Sequence, residues 1–241
     1  MRIHSGICAG ALLLALLLTG CGGESSAPEA GKDLPAETAY GETAEPAPET
    51  PADPDALTAE EIAQVNDAFA PFDERENGSY MNPVCSFFTS YYERPEDLDL
   101  VEFLRYFGLG ESPVGDDAEF EALKAAEGWP FSTDRLDQMP VPVHKYSRAD
   151  VDAYLEEHAG ITTADLTAFP DSTADLLYLP EYDAFYNFTS DAGPGMFICE
   201  TGRREGDLLI LTGGGKKLTL EETEDGRYLF RAFLLLERGE A

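Results

Sequence analysis

Hydrophobic positions recur along this chain with two different periods, and the change falls past its middle. Ile62, Val65 and Phe69 share one helical face behind Thr58 and Glu61, whose spacing forms a capping box. Asp99 and Glu102 predict a second helix carrying Val101, Leu104 and Phe107, with Gly108 suited to the position just past its end. A weaker helical pattern covers 116–126. Ser147 and Asp150 open another helix that turns Val151, Tyr154, Leu155 and His158 inward or half-inward and stops at Gly160. Between these stretches lie an irregular aromatic segment over 80–92 and a loop punctuated by Pro130, Pro140 and Pro142.

The second period is that of strands. Segments 183–189, 195–201, 207–212, 217–223 and 227–236 are short and rich in β-formers, and Gly, Pro or the turn signal Glu224-Asp225-Gly226 separates them. Short links between successive strands predict antiparallel neighbours, and helices followed by strands without alternation define an α+β fold. The expected architecture is a set of N-terminal helices packed on one face of a C-terminal antiparallel meander of four to five strands. Residues 57–241 form it as a single domain of 185 residues, long enough for a well-buried core.

Ahead of that domain the periodicity vanishes. Residues 22–56 hold no aliphatic run, only Ala, Pro, Glu, Ser, Gly and Thr in the main, with one sign of charge. Such a composition cannot repay the entropy of folding. It reads as a spacer of about 35 Å as a flexible coil and about 110 Å if stiffened by its prolines.

Further upstream, Arg2 precedes an apolar run over 9–18, too short to remain as a membrane-spanning helix, and the run closes on Leu18-Thr19-Gly20-Cys21. This resembles the lipobox of bacterial prolipoproteins. The resemblance covers residues 1–21. It implies that residues 1–20 are a signal peptide, that cleavage leaves Cys21 as the N-terminus, and that a diacylglyceryl group is attached to the Cys21 sulfur. Two acyl chains hold a protein stably where one does so only marginally. The chain is thus expected at the outer face of the cytoplasmic membrane, with 21–56 as a disordered acidic Pro/Ala/Glu tether and an extracytoplasmic domain beyond it. The C-terminal stretches YDAFYNFTSDAGPG, REGDLLIL and KLTLEETEDGRYLF are also similar to uncharacterised lipoproteins of anaerobic Gram-positive bacteria, which implies a domain end and nothing chemical.

Charge narrows the partners. The net charge is −31, and residues 57–241 alone carry 38 acids against 14 Lys and Arg. A field of that sign repels phosphate backbones and anionic headgroups. Nucleic acid is therefore excluded as a partner, and membrane contact is expected through the lipid anchor only. A cationic, peptide or glycan ligand at the cell envelope fits the charge better.

Candidate chemistry is sparse. Once the signal is removed and Cys21 is lipidated, Cys85 and Cys199 remain, each among apolar neighbours. A disulfide between them would close a loop of about 115 residues and add on the order of 4–5 kcal/mol. Two separate buried thiols fit the same neighbours, and the Cα separation decides. A nucleophilic cysteine served by His144 or His158 lacks the helix N-terminus that would lower its pKa. No Cys/His spacing suits zinc, and Asp73–Gly78 fails as a calcium loop because Arg75 and Val84 occupy ligand positions. No cofactor motif stands out. Gly213-Gly214-Gly215-Lys216-Lys217 joins two predicted strands and lacks the pattern of a phosphate loop.

Aromatics remain as the best hint. Tyr91, Tyr92, Tyr182 and Tyr186 stand beside acids, where stacking and cation–π contact could hold a ligand. Two functions follow as expectations. One is a non-catalytic binding or envelope-accessory domain, marked by a shallow aromatic patch with an acidic rim. The other is an extracellular hydrolase using paired carboxylates, marked by a deep pocket with converging polar groups and perturbed titration.

Overall fold

Thr58 opens α1 (Ala59–Ala68) with the capping box its sequence predicts: its hydroxyl accepts from the Glu61 amide at 3.2 Å, and the Glu61 carboxylate accepts from the Thr58 amide at 2.8 Å. The computed structural model describes residues 53–236 apart from 106, 108–110, 169–172, 174 and 189–194. The other expected helix starts also hold. Asp99 caps α2 (Leu100–Leu104), Asp116 caps α3 (Asp117–Ala125) and Ser147 caps α4 (Arg148–Ala159). Gly160 ends α4 at φ +71°, a left-handed conformation that costs glycine little. Gly108, expected to end α2, lies outside the described residues.

The chain is α+β, and its C-terminal sheet is a four-stranded antiparallel meander. Strands β7 (Thr201–Glu205), β8 (Leu208–Gly213), β9 (Lys216–Glu222) and β10 (Tyr228–Leu235) pair in chain order. Ahead of these, β1 (Phe72–Arg75) and β2 (Gly78–Met81) form an exposed hairpin across Glu76 and Asn77. The run that superficially resembled a calcium loop is this hairpin.

The sequence pattern also anticipates segment 183–189 as part of the meander, and there the structure differs. A second sheet exists, ordered β3-β4-β6-β5, from β3 (Glu111–Ser112), β4 (Val143–Ser147), β5 (Leu176–Leu179) and β6 (Ala184–Phe188). The reason is burial. Four successive β6 residues, Ala184, Phe185, Tyr186 and Asn187, are shielded from water, so β6 cannot belong to a sheet with one wet face. An uninterrupted apolar run suits a strand covered on both sides.

Each face of this second sheet meets its own core. On the near face, Tyr146, Leu176 and Phe185 join the large core shared with α1, α2, α4, the 3-10 segment Pro83–Phe88 and the meander. Phe87 is central there, stacked on Phe230 at 4.2 Å and edge-on to Phe103 at 5.1 Å. On the far face, Leu177, Leu179, Ala184 and Tyr186 pack beneath Phe120 and Leu123 of α3 in a second, smaller core.

Each edge of the meander meets upstream chain at one isolated bridge, Ala56 with Arg203 on β7 and Tyr92 with Phe233 on β10. Leu57 donates to the Gly202 carbonyl at 2.8 Å and Arg204 to the Asp55 carbonyl at 2.8 Å, while Tyr92 exchanges both backbone hydrogen bonds with Phe233. Such bridges interrupt the run of edge groups that could otherwise pair with another chain. Among the described residues no helix is long and apolar enough to cross a membrane.

Segment 195–201, expected as a strand, is paired only from Thr201 onward. Its earlier part crosses the 3-10 segment instead, with Phe197 and Cys199 inward and Met196 and Ile198 outward. Gly195 makes that crossing feasible, because a Cβ there would stand 2.5–2.7 Å from the backbone of Cys85 and Phe88. Gly195→Ala should therefore destabilise the domain by about 2 kcal/mol through overpacking. Urea unfolding of the variant measures it, and a loss under about 0.5 kcal/mol would mean the crossing is loose.

Candidate functional site

The far face of the second sheet carries the chemistry. Alternation along β4 and β6 points Val143, Lys145, Tyr186 and Phe188 to the side on which α3 lies. From α3, Glu119 descends onto them. It is 2% exposed and the one buried carboxylate among the described residues. Its oxygens accept from the Lys145 ammonium at 2.7 Å, from the Tyr186 hydroxyl and from the Gly115 amide.

Burial alone would raise the Glu119 carboxyl, but the Lys145 ammonium, the Tyr186 hydroxyl and the Gly115 amide outweigh it and hold the group below its ordinary 4.5. Burial and the adjacent Glu119 push the Tyr186 phenol up. The cluster is a closed polar clamp between helix and sheet, with every strong partner engaged.

Beside the clamp the surface opens. A shallow groove of about 440 Å³ is lined by apolar side chains of β4 and the loops flanking it, including Val114, Leu136, Met139, Pro140, Pro142 and Val143. Val143 is the register partner of Phe188, so an aromatic group continues the same face. Trp129, Phe131 and Phe188 stand mutually edge-on with centroids 5.0–5.4 Å apart, and Phe120 meets Trp129 at 5.7 Å. All three members of the group are half-buried, leaving part of each ring to solvent. Exposed carboxylates come from the same stretch of chain: Asp134 and Glu121 pair with Lys124, whose ammonium lies 5.5 Å from the Phe120 ring, and Asp137 pairs with Arg135.

The four tyrosines singled out by the sequence do not form one site. Tyr186 is fully buried with its hydroxyl on Glu119, and Tyr92, 3% exposed, is fixed by its pairing with β10. Neither has a surface to offer a ligand, because both side chains are buried in the core. Tyr182 is half-buried on the far face, its ring 5.8 Å from the Lys145 ammonium. Tyr91 is 51% exposed at the β10 edge, stacked on Phe233, and belongs to the other sheet. Trp129, Phe131 and Phe188 were not anticipated. Their signal was the run Trp129-Pro130-Phe131 inside a proline loop, which reads as a connector until β6 brings Phe188 beneath it.

The cysteines are not bridged. Cys85 and Cys199 are free and buried; the Cys85 sulfur lies toward the Phe69 carbonyl at 3.8 Å and the Cys199 sulfur toward the Thr201 carbonyl at 3.2 Å. Burial pushes both thiols up to about 11, the state of an inert thiol rather than a nucleophile. His158 packs on Tyr154 at 4.2 Å, and burial pushes its pKa down. Cys21 lies outside the described residues. Among those residues no group of three or more His, Cys, Asp or Glu is gathered to hold a metal ion. Set against family models, curated proteins and solved structures, the chain finds no match in any of the three.

The clamp makes a stability prediction. Lys145→Met strands the Glu119 carboxylate in an apolar layer and should cost about 3 kcal/mol, whereas Met at both positions should recover most of that loss. The pH dependence has a definite sign. Because the folded carboxyl is held below 4.5, its contribution is present above that value and is lost as pH falls through the lower folded pKa. Acid unfolding of the native chain should thus be steeper below pH 4.5 than that of Glu119→Gln, and equal slopes in circular-dichroism titrations would contradict the assignment.

Proposed function

We propose that this chain is a non-catalytic binding protein, anchored by lipid on Cys21 at the outer face of the cytoplasmic membrane and presenting its domain on an acidic tether. The observation that carries the binding half of this reading is the continuous apolar and aromatic surface formed by the groove and by Trp129, Phe131 and Phe188. Half-buried rings beside a shallow groove with apolar side chains offer a large contact area at little conformational cost, and nearby carboxylates add selectivity. The anchoring half rests on Leu18-Thr19-Gly20-Cys21 alone.

The hydrolase alternative draws less support. A glycosidase acid needs a carboxyl held up near neutral pH, with a second carboxylate at working distance. Glu119 is held down rather than up, and its partners are an ammonium and a phenol. It is ionised for good at neutral pH and tied into the fold.

The two readings separate on an array of synthetic peptides and oligosaccharides probed with the full chain. A binding domain retains a ligand saturably, leaves it chemically intact, and loses it by tenfold or more in Trp129→Ala. Release of cleaved fragments, unaffected by Trp129→Ala, would instead favour the hydrolase. The anchor is tested separately: Cys21→Ser should shift the protein from the membrane fraction to the medium or stall it uncleaved. A variant that stays membrane-bound and normally processed would end that half of the reading.

A further inference from the structure

The groove and its surroundings differ in kind, and the difference identifies a ligand. The lining is made of proline, valine, leucine and methionine side chains, so no lining side chain can donate or accept a strong hydrogen bond. Three of the lining residues, Pro113, Pro140 and Pro142, also lack a backbone N–H. A sugar seated here would find backbone groups alone as partners, at a cost of a few kcal/mol for each hydroxyl left unsatisfied. Aliphatic and prolyl groups meet no such penalty. The side chains of the groove therefore favour aliphatic and prolyl groups over glycans.

The border selects for positive charge. Residues 111–145 carry eight carboxylates and three Lys or Arg. All three of those bases are spent within the domain: Lys145 on Glu119, Lys124 on Glu121 and Asp134, and Arg135 on Asp137. Asp134 is 94% exposed on its side chain, and Glu121 and Asp137 about two-thirds so. Five negative charges are left over in this stretch of sequence, which also carries the half-buried rings of Trp129 and Phe131; aromatic rings attract cations to their faces. Glu127, Asp116 and Asp117 lie in the same stretch, and of these Asp117 acts on Arg135, which Asp137 already engages.

On the basis of the binding reading above, we propose that the occupant is a cationic peptide segment in which Lys or Arg alternates with aliphatic or prolyl residues. Its apolar groups fill the groove, and its basic groups reach the carboxylates of the border and the rings of Trp129 and Phe131. Charge complementarity is the ground for this choice. A segment with acidic side chains would meet the same border in repulsion, which makes the border a device against the wrong partner as well as for the right one.

Trp129 is the only tryptophan in the chain, so its emission reports this surface directly. The full chain, held in a neutral detergent, is titrated with three probes: an amide-capped peptide alternating lysine, leucine and proline, its counterpart with glutamate replacing lysine, and a hexasaccharide of N-acetylglucosamine. The lysine peptide should change Trp129 emission saturably, and its Kd should rise about tenfold or more between 50 and 500 mM NaCl. Asp134→Asn with Asp137→Asn, two exposed changes that leave the fold alone, should weaken it about three- to tenfold by calorimetry.

Each other outcome is decisive. If the glutamate peptide binds as tightly, or salt leaves the lysine peptide unmoved, the cationic class is overturned while the binding reading stands. If only the hexasaccharide binds, the peptide is overturned and the binding reading again stands. If no probe alters Trp129 emission, the proposal fails here, and the array and Trp129→Ala judge the binding reading by themselves.

Discussion

Strand β6 is buried on both faces, and covering it organises most of the molecule. Its near face needs the large aromatic core, so the sheet that holds β6 leans against α4, α2 and the meander. Its far face needs a second cover, and α3 with the loop over 127–142 supplies it. A single-layer cover would have left Tyr186, Ala184 and their neighbours on β5 in water, a loss of about 2 kcal/mol for each large side chain. The three-layer arrangement is the consequence of one short apolar strand. The groove exists because the outer layer is thin there, short of covering the far face completely.

That outer layer is held by charge as well as by apolar contact. Glu119 enters a layer otherwise formed of Phe120, Leu123, Leu177, Leu179 and Tyr186. An isolated carboxylate in such a place would take up a proton; three directed partners keep this one ionised. Buried ion pairs add little net stability compared with a well-packed apolar pair, yet they tolerate only one geometry. Here the clamp sets the height and rotation of α3 over the sheet, and with it the position of Val114 and Trp129 at either end. The groove is thus positioned from beneath by groups that do not line it.

How much of this was legible in the chain depends on the range of each signal. Helix starts at Thr58, Asp99, Asp116 and Ser147 were readable because the capping side chain and the amide it accepts from lie within three residues. The meander was readable because β8, β9 and β10 follow one another through short turns. The second sheet was not. Leu176–Leu179 and, Asn187 apart, Ala184–Phe188 are apolar without alternation, and their assignment depends on which layers cover them, a property of the whole fold. Val143–Ser147 was obscured for another reason, since Ser147 is both the last residue of β4 and the cap of α4. The candidate surface was the least legible part. Trp129 and Phe131 come from a loop, Phe188 from a strand and Val143 from another, and no local spacing joins them. Tyrosine density pointed instead to Tyr92 and Tyr186, which burial had already claimed.

Charge ties the surface to the rest of the protein. With a net charge of −31, any basic ligand approaches down a potential to which every exposed carboxylate contributes, and encounter is faster than the groove's own border would make it. The same field forbids the reverse arrangement, since a cationic groove on this chain would attract its own acidic segments. Two of the bases are tied to one helix end: Arg231 donates to the Ala159 carbonyl at 3.0 Å and Arg227 to the Glu157 carbonyl at 3.2 Å, both at the C-terminal end of α4. There they meet the negative end of a helix dipole and tie α4 to β10. Part of the positive charge in this domain thus holds a helix in place, while the surplus of negative charge is left to meet a cationic ligand.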